Sequence, residues 1–155
     1  MPVAERPVTG LECKIYYNAA THASPTWVEI TRAINVSYTI SKGEATQDSR
    51  TTTWRKTKGT IKELEITFTY RKKQGTDTVF DALIAASVAD TILEWAVLDG
   101  AHNVSGVQGI RCFGELFSAG NTQDLESVEE VEFTVKPAYK EESSVEINPD
   151  WYKVT

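Results

Sequence analysis

The seven residues LEITFTY, at positions 64 to 70, alternate strictly between apolar and polar side chains. Leu64, Ile66, Phe68 and Tyr70 are separated by single glutamate or threonine residues. A period of two places the apolar side chains on one face of a β-strand and the polar side chains on the other. The stretch therefore predicts a strand that buries one face in a core and leaves its second face in water.

The same alternation recurs in three other stretches, at residues 11–18, 34–40 and 130–136. The side chains that it predicts to face the core are Leu11, Cys13, Ile15, Tyr17, Ile34, Val36, Tyr38, Ile40, Val131, Phe133 and Val135. Residues 92–98 and 109–117 instead carry large apolar side chains on both faces, which is typical of strands that are covered on both sides.

One helix is predicted in the segment GTDTVFDALIAASVAD, residues 75–90. Thr76 or Asp77 can accept hydrogen bonds from the free N–H groups of its first turn. An apolar stripe with a spacing of three and four residues follows. A short strand is also predicted around Trp27. The order of elements predicts a mainly β, α+β fold: a β-sandwich or barrel of antiparallel strands with one flanking α-helix.

Three segments fall outside this scheme. They are an N-terminal arm (1–9), an extended loop (41–60) and a C-terminal arm (141–155), which leaves 10–140 as the predicted domain. A structureless connection of about 20 residues is uncommon inside a compact domain and is usually functional or disordered. The loop is therefore a candidate functional segment.

The bulk composition excludes some classes of protein. The 155 residues carry a formal net charge of −6, which argues against a protein whose main task is to bind polyphosphate. No apolar run is long enough to span a membrane, and the N-terminus lacks the apolar core of a signal peptide, so cytosolic synthesis is expected. Cys13 and Cys112 lie outside any CxxC motif and predict no metal or redox site. They are either paired with each other or buried as free thiols.

Catalytic chemistry finds little support. His22 and His102 both lie in loop-like stretches, and we expect surface histidines without a role. No nucleotide-binding, hydrolase or metalloprotease motif occurs. Four carboxylates on two predicted strands could pair as in a glycosidase, but a solvated strand face explains them better: Glu63, Glu65, Glu130 and Glu132. The sequence predicts no enzyme and no cofactor.

The charges are distributed unevenly. Eight of the sixteen basic residues lie between Arg50 and Lys73, whereas residues 115–150 hold ten of the 22 acidic residues and only two basic ones. The basic run with Trp54 could hold single-stranded nucleic acid, although one aromatic residue in an acidic chain is a weak signal for it. Complementary patches favour head-to-tail self-association, and neutralisation within one chain is the alternative.

The order of these segments resembles the major tail tube proteins of long-tailed, siphophage-type bacteriophages. The stretches that carry the resemblance are LECKIYYN (11–18), WVEITRAINVSYTISKGEATQDSRTTTWR (27–55), DTVFDALIAAS (77–87), ILEWAVLDG (92–100) and GIRCFGELFSAGNTQDLESVEEVEFTVKPA (109–138). Together they cover roughly residues 10–140, and they match by order and spacing.

The resemblance implies a structural virion protein of the phage tail that assembles into stacked, hexameric rings, through whose bore DNA is ejected. It further implies synthesis in the host bacterial cytoplasm and contacts with other tail proteins, namely the tape measure, tail tip and terminator. The extended loop becomes a subunit or ring interface, and the residues predicted to make it are Asp48, Ser49, Arg50, Trp54, Arg55, Lys56 and Lys58.

The polar strand faces suit the wall of a conduit, because cationic surface would hold the phosphates of passing DNA. The residues predicted to face the lumen are Glu63, Glu65, Thr67, Glu130, Glu132 and Thr134. Two alternatives stay open. One is a tube subunit of a related injection device, such as a tailocin or secretion system. The other is a carbohydrate-binding β-sandwich, for which Trp27, Trp95 and Trp151 are the candidate platform residues.

Overall fold

A computed structural model describes residues 7–155 of the chain. Most of the predicted N-terminal arm, residues 1–6, lies outside the described part. The elements in chain order are β1 (Lys14–Asn18), β2 (Trp27–Glu29), β3 (Ala33–Gln47), β4 (Lys56–Arg71), α1 (Thr78–Val88), β5 (Leu93–Leu98), β6 (Gln108–Thr122), β7 (Glu130–Pro137), β8 (Glu141–Glu142), β9 (Val145–Glu146) and β10 (Asp150–Lys153). The predicted mainly β fold of antiparallel strands with one helix is confirmed.

The main sheet has the strand order β2-β1-β5-β6-β7-β4-β3, and β10 also pairs with β6. The long strand β6 changes partner along its length: residues up to Gly114 pair with β5, and residues from Gly114 onward pair with β7. A Cβ atom on Gly114 would lie 2.7 Å from the carbonyl oxygen of Lys136. Glycine therefore permits the close backbone approach at the point where β6 changes partner.

The two halves of the sheet enclose the main core. Ile66 and Phe68 of β4 and Phe133 of β7 are buried against Trp95 of β5, and the rings of Phe68 and Trp95 lie 6.1 Å apart. The predicted inward faces of residues 64–70 and 131–135 are all buried, so the alternation identified the correct face in both strands.

The inward assignments at the other two alternating stretches are partly wrong. Ile15 is buried, but Leu11 is fully exposed because β1 begins only at Lys14. In β3 the pairing with β4 shifts register next to Asn35, whose φ is 52°. Beyond this bulge Tyr38 and Ile40 are exposed, because β3 is an edge strand that extends past the buried core.

The second face of β5 and β6 is also covered, as predicted for residues 92–98 and 109–117. Tyr16, Ala96 and Leu98 pack there against Val107 and Val154. The C-terminal residues thus differ from the predicted arm: β10 pairs with β6, and the N–H of Val154 donates a hydrogen bond of 2.8 Å to the carbonyl of Val107. Backbone pairing and side-chain burial together hold this segment on the domain.

A buried polar network lies between β1, β5 and β6. Glu94 accepts hydrogen bonds from the side chains of Arg111 and Asn18, and His22 Nδ1 lies 2.6 Å from its Oε1. Arg111 also donates to the carbonyl of His22 at 2.7 Å. The expectation of a surface histidine without a role is wrong for His22, because its loop folds back onto this network.

Aromatic rings cover the outer side of the network. The Arg111 guanidinium lies 5.2 Å from the centre of the Trp27 ring and 5.1 Å from that of Tyr152. A cation between two aromatic faces is favourable electrostatically. Arg111 therefore connects β2, β6 and β10 in addition to neutralising Glu94.

Asp77, one of the two predicted caps, directly precedes the helix and caps its N-terminus. Its carboxylate accepts hydrogen bonds from the N–H of Phe80 at 3.3 Å and from the hydroxyl of Tyr70 at 2.8 Å. Burial and the adjacent Asp77 carboxylate raise the pKa of the Tyr70 hydroxyl above its usual value, so the hydroxyl stays protonated and donates. Leu83 and Ala86 of the helix are buried in the main core.

Replacement of Glu94 by glutamine should lower the free energy of unfolding by about 3 kcal/mol, because the Arg111 charge would stay buried without its counter-charge. Urea unfolding followed by circular dichroism measures the change. Glu65→Gln is the matched control, since Glu65 and its partner Lys136 are both half exposed at 3.6 Å, and its effect should stay under about 1 kcal/mol. Equal losses in the two variants would contradict the structural importance of the network.

Candidate assembly surfaces

One face of the half-sheet β3-β4-β7-β6 is polar across all four strands. Side chains of directly opposed residues point to the same face of a sheet. Thr67 is opposite Ser37 on one side and Thr134 on the other, and Thr134 is opposite Ser118. These four residues form a row of hydroxyl groups that crosses the half-sheet, and the Ser37 and Thr67 oxygens lie 2.7 Å apart.

The neighbouring rows on this face carry the charges. Their carboxylates are Glu63, Glu65, Glu115, Glu130 and Glu132. Two cations lie among them: Lys136 Nζ is 3.6 Å from Glu65, and Arg71 Nε is 3.1 Å from Glu130. Five carboxylates and two cations leave the face acidic. The six residues predicted to face a lumen are therefore placed together on one polar face.

The half-sheet that carries this face ends in a free strand edge on each side. Among residues 7–155, β3 pairs only with β4. At the opposite side, the part of β6 after Gly114 pairs only with β7 in the described part of the chain, because its pairing with β5 has ended. A free strand edge presents unpaired N–H and C=O groups that can accept another strand. The half-sheet can therefore be extended at both sides.

The segment predicted as an extended loop (41–60) is instead mostly a β-hairpin. Strands β3 and β4 stay paired as far as Gln47 and Lys56, so only residues 48–55 form a turn. A register shift occurs next to Gly43, where a Cβ atom would lie 2.4 Å from Thr60 Oγ1. The strands lack apolar alternation here and are exposed, which is why the sequence pattern suggested a loop.

The turn of this hairpin, residues 48–55, is called the hairpin tip below, and its own polar side chains hold its shape. Arg55 donates two hydrogen bonds to the Asp48 carboxylate, at 2.9 and 3.2 Å. The hydroxyls of Ser49 and Thr51 lie 2.7 Å apart. Trp54 is 79% exposed. All of the predicted interface residues lie in this turn or at the start of β4, and they form one exposed patch: Asp48, Ser49, Arg50, Trp54, Arg55, Lys56 and Lys58.

The structure offers less to the alternative functions. Trp95 is fully buried and Trp27 packs on Arg111, so Trp151 is the only exposed member of the proposed carbohydrate platform. No group of three or more His, Cys, Asp or Glu side chains is placed to hold a metal ion in the part of the chain that the structure describes. Cys13 is exposed and Cys112 is buried, and both are free thiols. No described helix is long and apolar enough to cross a membrane.

Solved structures with a similar fold come from phage tails and related particles. The SPP1 tail tube superposes with a TM-score of 0.72 at 15% identity, over 95% of this chain and 80% of that one. The chain has the fold of a phage tail tube protein. The tail of an empty gene transfer agent particle, refined with C6 symmetry, matches with a TM-score of 0.61 at 13% identity, over 84% of this chain and 93% of that one.

A third similar structure comes from another kind of particle. The baseplate of the anti-feeding prophage, symmetrised sixfold, matches with a TM-score of 0.56 at 7% identity, over 98% of this chain and 99% of that one. No protein-family model and no curated protein sequence matches the chain. The likeness therefore lies in the fold and not in the sequence.

Amide hydrogen exchange should separate the hairpin from the core in the free subunit. Residues 41–47 and 56–62 are exposed, and a two-stranded hairpin is only marginally stable by itself. We expect these amides to exchange quickly, while those of residues 64–70 in the same strand exchange slowly. Mass spectrometry of peptides from the free subunit measures both. Slow exchange throughout the hairpin would show that it is stable without a partner.

Proposed function

We propose that this chain is the subunit of a phage tail tube, which self-assembles into stacked rings around a bore through which DNA is ejected. The observation that carries the proposal is a polar, acidic half-sheet with a free edge on each side. The tail tube fold supports it, because the structures that share the fold belong to tails and related injection particles.

The two free edges differ, and this decides how copies can join. The free edge of β3 can pair with the second half of β6 in a second copy. The β3 edge of that second copy then stays free to pair with a third copy. Such head-to-tail contacts close into a ring when the rotation between copies closes. Six copies fit the sixfold symmetry of the gene transfer agent tail and of the anti-feeding prophage baseplate.

The domain itself determines which face of that ring points inward. The other half of the sheet, with β1, β2 and β5, packs on the apolar face of the joined strands. This half of the domain needs more space than the inner side of a ring provides, and it therefore lies on the outside of the ring. The polar face is left to line the bore, where its excess of carboxylates repels the DNA phosphates and keeps DNA free to slide.

The partners follow from this role. The main partner is a further copy of the same chain, within the ring and between rings, and the ends of the tube contact the tape measure, tail tip and terminator proteins. Synthesis takes place in the host cytoplasm, and the assembled subunit resides in the virion tail. The anti-feeding prophage match favours one alternative, the tube of a related injection device such as a tailocin or secretion system.

Negative-stain electron microscopy of the concentrated protein tests the assembly. We expect hollow tubes of uniform diameter, because each bound copy leaves both a free edge and a free hairpin for the next. A strictly monomeric sample at every concentration, also in the presence of purified tail tips as initiators, would contradict the proposed function.

Charge reversal on the polar face tests the bore. The Glu65→Lys, Glu132→Lys double variant should form normal tubes but eject DNA at least about tenfold more slowly, because the new cations bind phosphate. The matched control is Glu141→Lys, Glu146→Lys, which makes the same charge change in the exposed β8–β9 hairpin. Ejection from reconstituted virions is followed with a DNA-binding dye. Equal rates in the two variants would exclude this face as the bore lining.

A further inference from the structure

The hairpin tip and the β6–β7 turn lie at opposite ends of the same half-sheet. Strand β4 begins at Lys56, next to the tip, and ends at Arg71, which is opposite Glu130. Glu130 is also opposite Thr122, so residues 123–129 form the turn at the Arg71 end. Sixteen residues at about 3.3 Å each separate the two ends by roughly 50 Å. The tip and the turn of one chain therefore cannot touch.

Each end carries exposed apolar side chains that packing within the domain does not use. Trp54 is exposed at the tip. In the turn, Leu125 is fully exposed and Val128 is 60% exposed. Single exposed apolar residues are common on protein surfaces, but these stand at the two extremities of one sheet, where a head-to-tail contact between copies would place them together.

The charges at the two ends are complementary. Arg55 is neutralised by Asp48, so the positive charge at this end comes from Arg50 in the tip and from Lys56 and Lys58 directly after it. The turn carries Asp124 and Glu126, which take part in no ion pair among the described residues. The remaining acid of the turn, Glu129, is held by Asn121 at 2.8 Å and lies 3.7 Å from Lys72.

The turn has a defined shape that a partner can recognise. The N–H of Ser127 donates to the carbonyl of Asp124 at 3.3 Å, and the N–H of Glu126 donates to the Asp124 carboxylate at 3.2 Å. The hydrogen bond from Asn121 lowers the pKa of Glu129, which keeps this carboxylate charged and bonded across the base of the turn. Leu125 is thus presented on an ordered loop.

We propose that the hairpin tip of one copy binds the 123–129 turn of a second copy in the next ring. Trp54 packs against Leu125 and Val128, while Arg50, Lys56 and Lys58 face Asp124 and Glu126. The proposal rests on the proposed function, since it requires stacked rings. It also gives the stack a direction, because every ring offers tips at one end and turns at the other.

Site-specific cross-linking tests the contact directly. Two variants are mixed, both with Cys13→Ser so that the buried Cys112 is their only natural thiol. One carries Thr53→Cys at the tip and the other carries Ser127→Cys in the turn. A short bis-maleimide should give a covalent dimer in assembled tubes and none in the free subunits.

A competing acceptor on the same protein provides the comparison. A groove whose lining includes the apolar side chains of Ile40, Leu64, Ile110 and Trp151 could also receive Trp54, and Asn148 is another of its lining residues. Tubes in which Thr53→Cys links to Asn148→Cys but not to Ser127→Cys would overturn the contact while the tube function stands. If the protein forms no tubes under any condition, the contact and the proposed function both fail.

Reciprocal charge reversal tests the same contact without a cross-linker. Arg50→Glu with Lys58→Glu should raise the protein concentration needed for tube formation at least about tenfold, and so should Asp124→Lys with Glu126→Lys. A chain that carries all four changes restores opposite charges across the contact and should assemble near the wild-type concentration. A fourfold variant that is as defective as the pairs, or more so, would overturn the proposal.

Discussion

The architecture depends on the way one strand, β6, hydrogen-bonds to different partner strands along its two halves. Its first half joins β5 and β10, and its second half joins β7. Because of this change the sheet folds over its own apolar face and encloses the core between its halves. The same change releases the edge of β6 beyond Gly114, so the arrangement that builds the core also creates one of the two free edges on which the proposed ring depends.

The buried network around Glu94 secures the half of the fold that is remote from the polar face. A buried ion pair is not by itself a source of stability, since desolvation opposes the attraction between the charges. Its effect here is positional. Arg111 is in contact with the His22 loop, the Trp27 strand and the C-terminal strand, so these short segments are held in one arrangement.

The sequence predicted what local periodicity determines and missed what depends on distant contacts. The faces of β4 and β7 could be read because apolar and polar side chains alternate along them. Tyr38 and Ile40 continue the same pattern but are exposed, since exposure depends on whether the opposing half of the sheet reaches them. His22 and Glu94 are 72 positions apart, and no pattern within either segment links them. The hairpin was missed because its two strands pair with each other without an apolar face.

The two free edges are unequal in length, and this bears on the order of assembly. Strand β3 has 15 residues, whereas the free part of β6 begins only after Gly114 and ends at Thr122. In the proposed ring, the free part of β6 is too short to pair with the whole of β3 in the neighbouring copy. The part of β3 that leads into the hairpin therefore keeps a free edge. An isolated ring would therefore be an incomplete product, and a second ring would have to cover what the first leaves open. Ring closure and tube elongation would then be one cooperative process, in which the first ring forms unfavourably and later rings add rapidly.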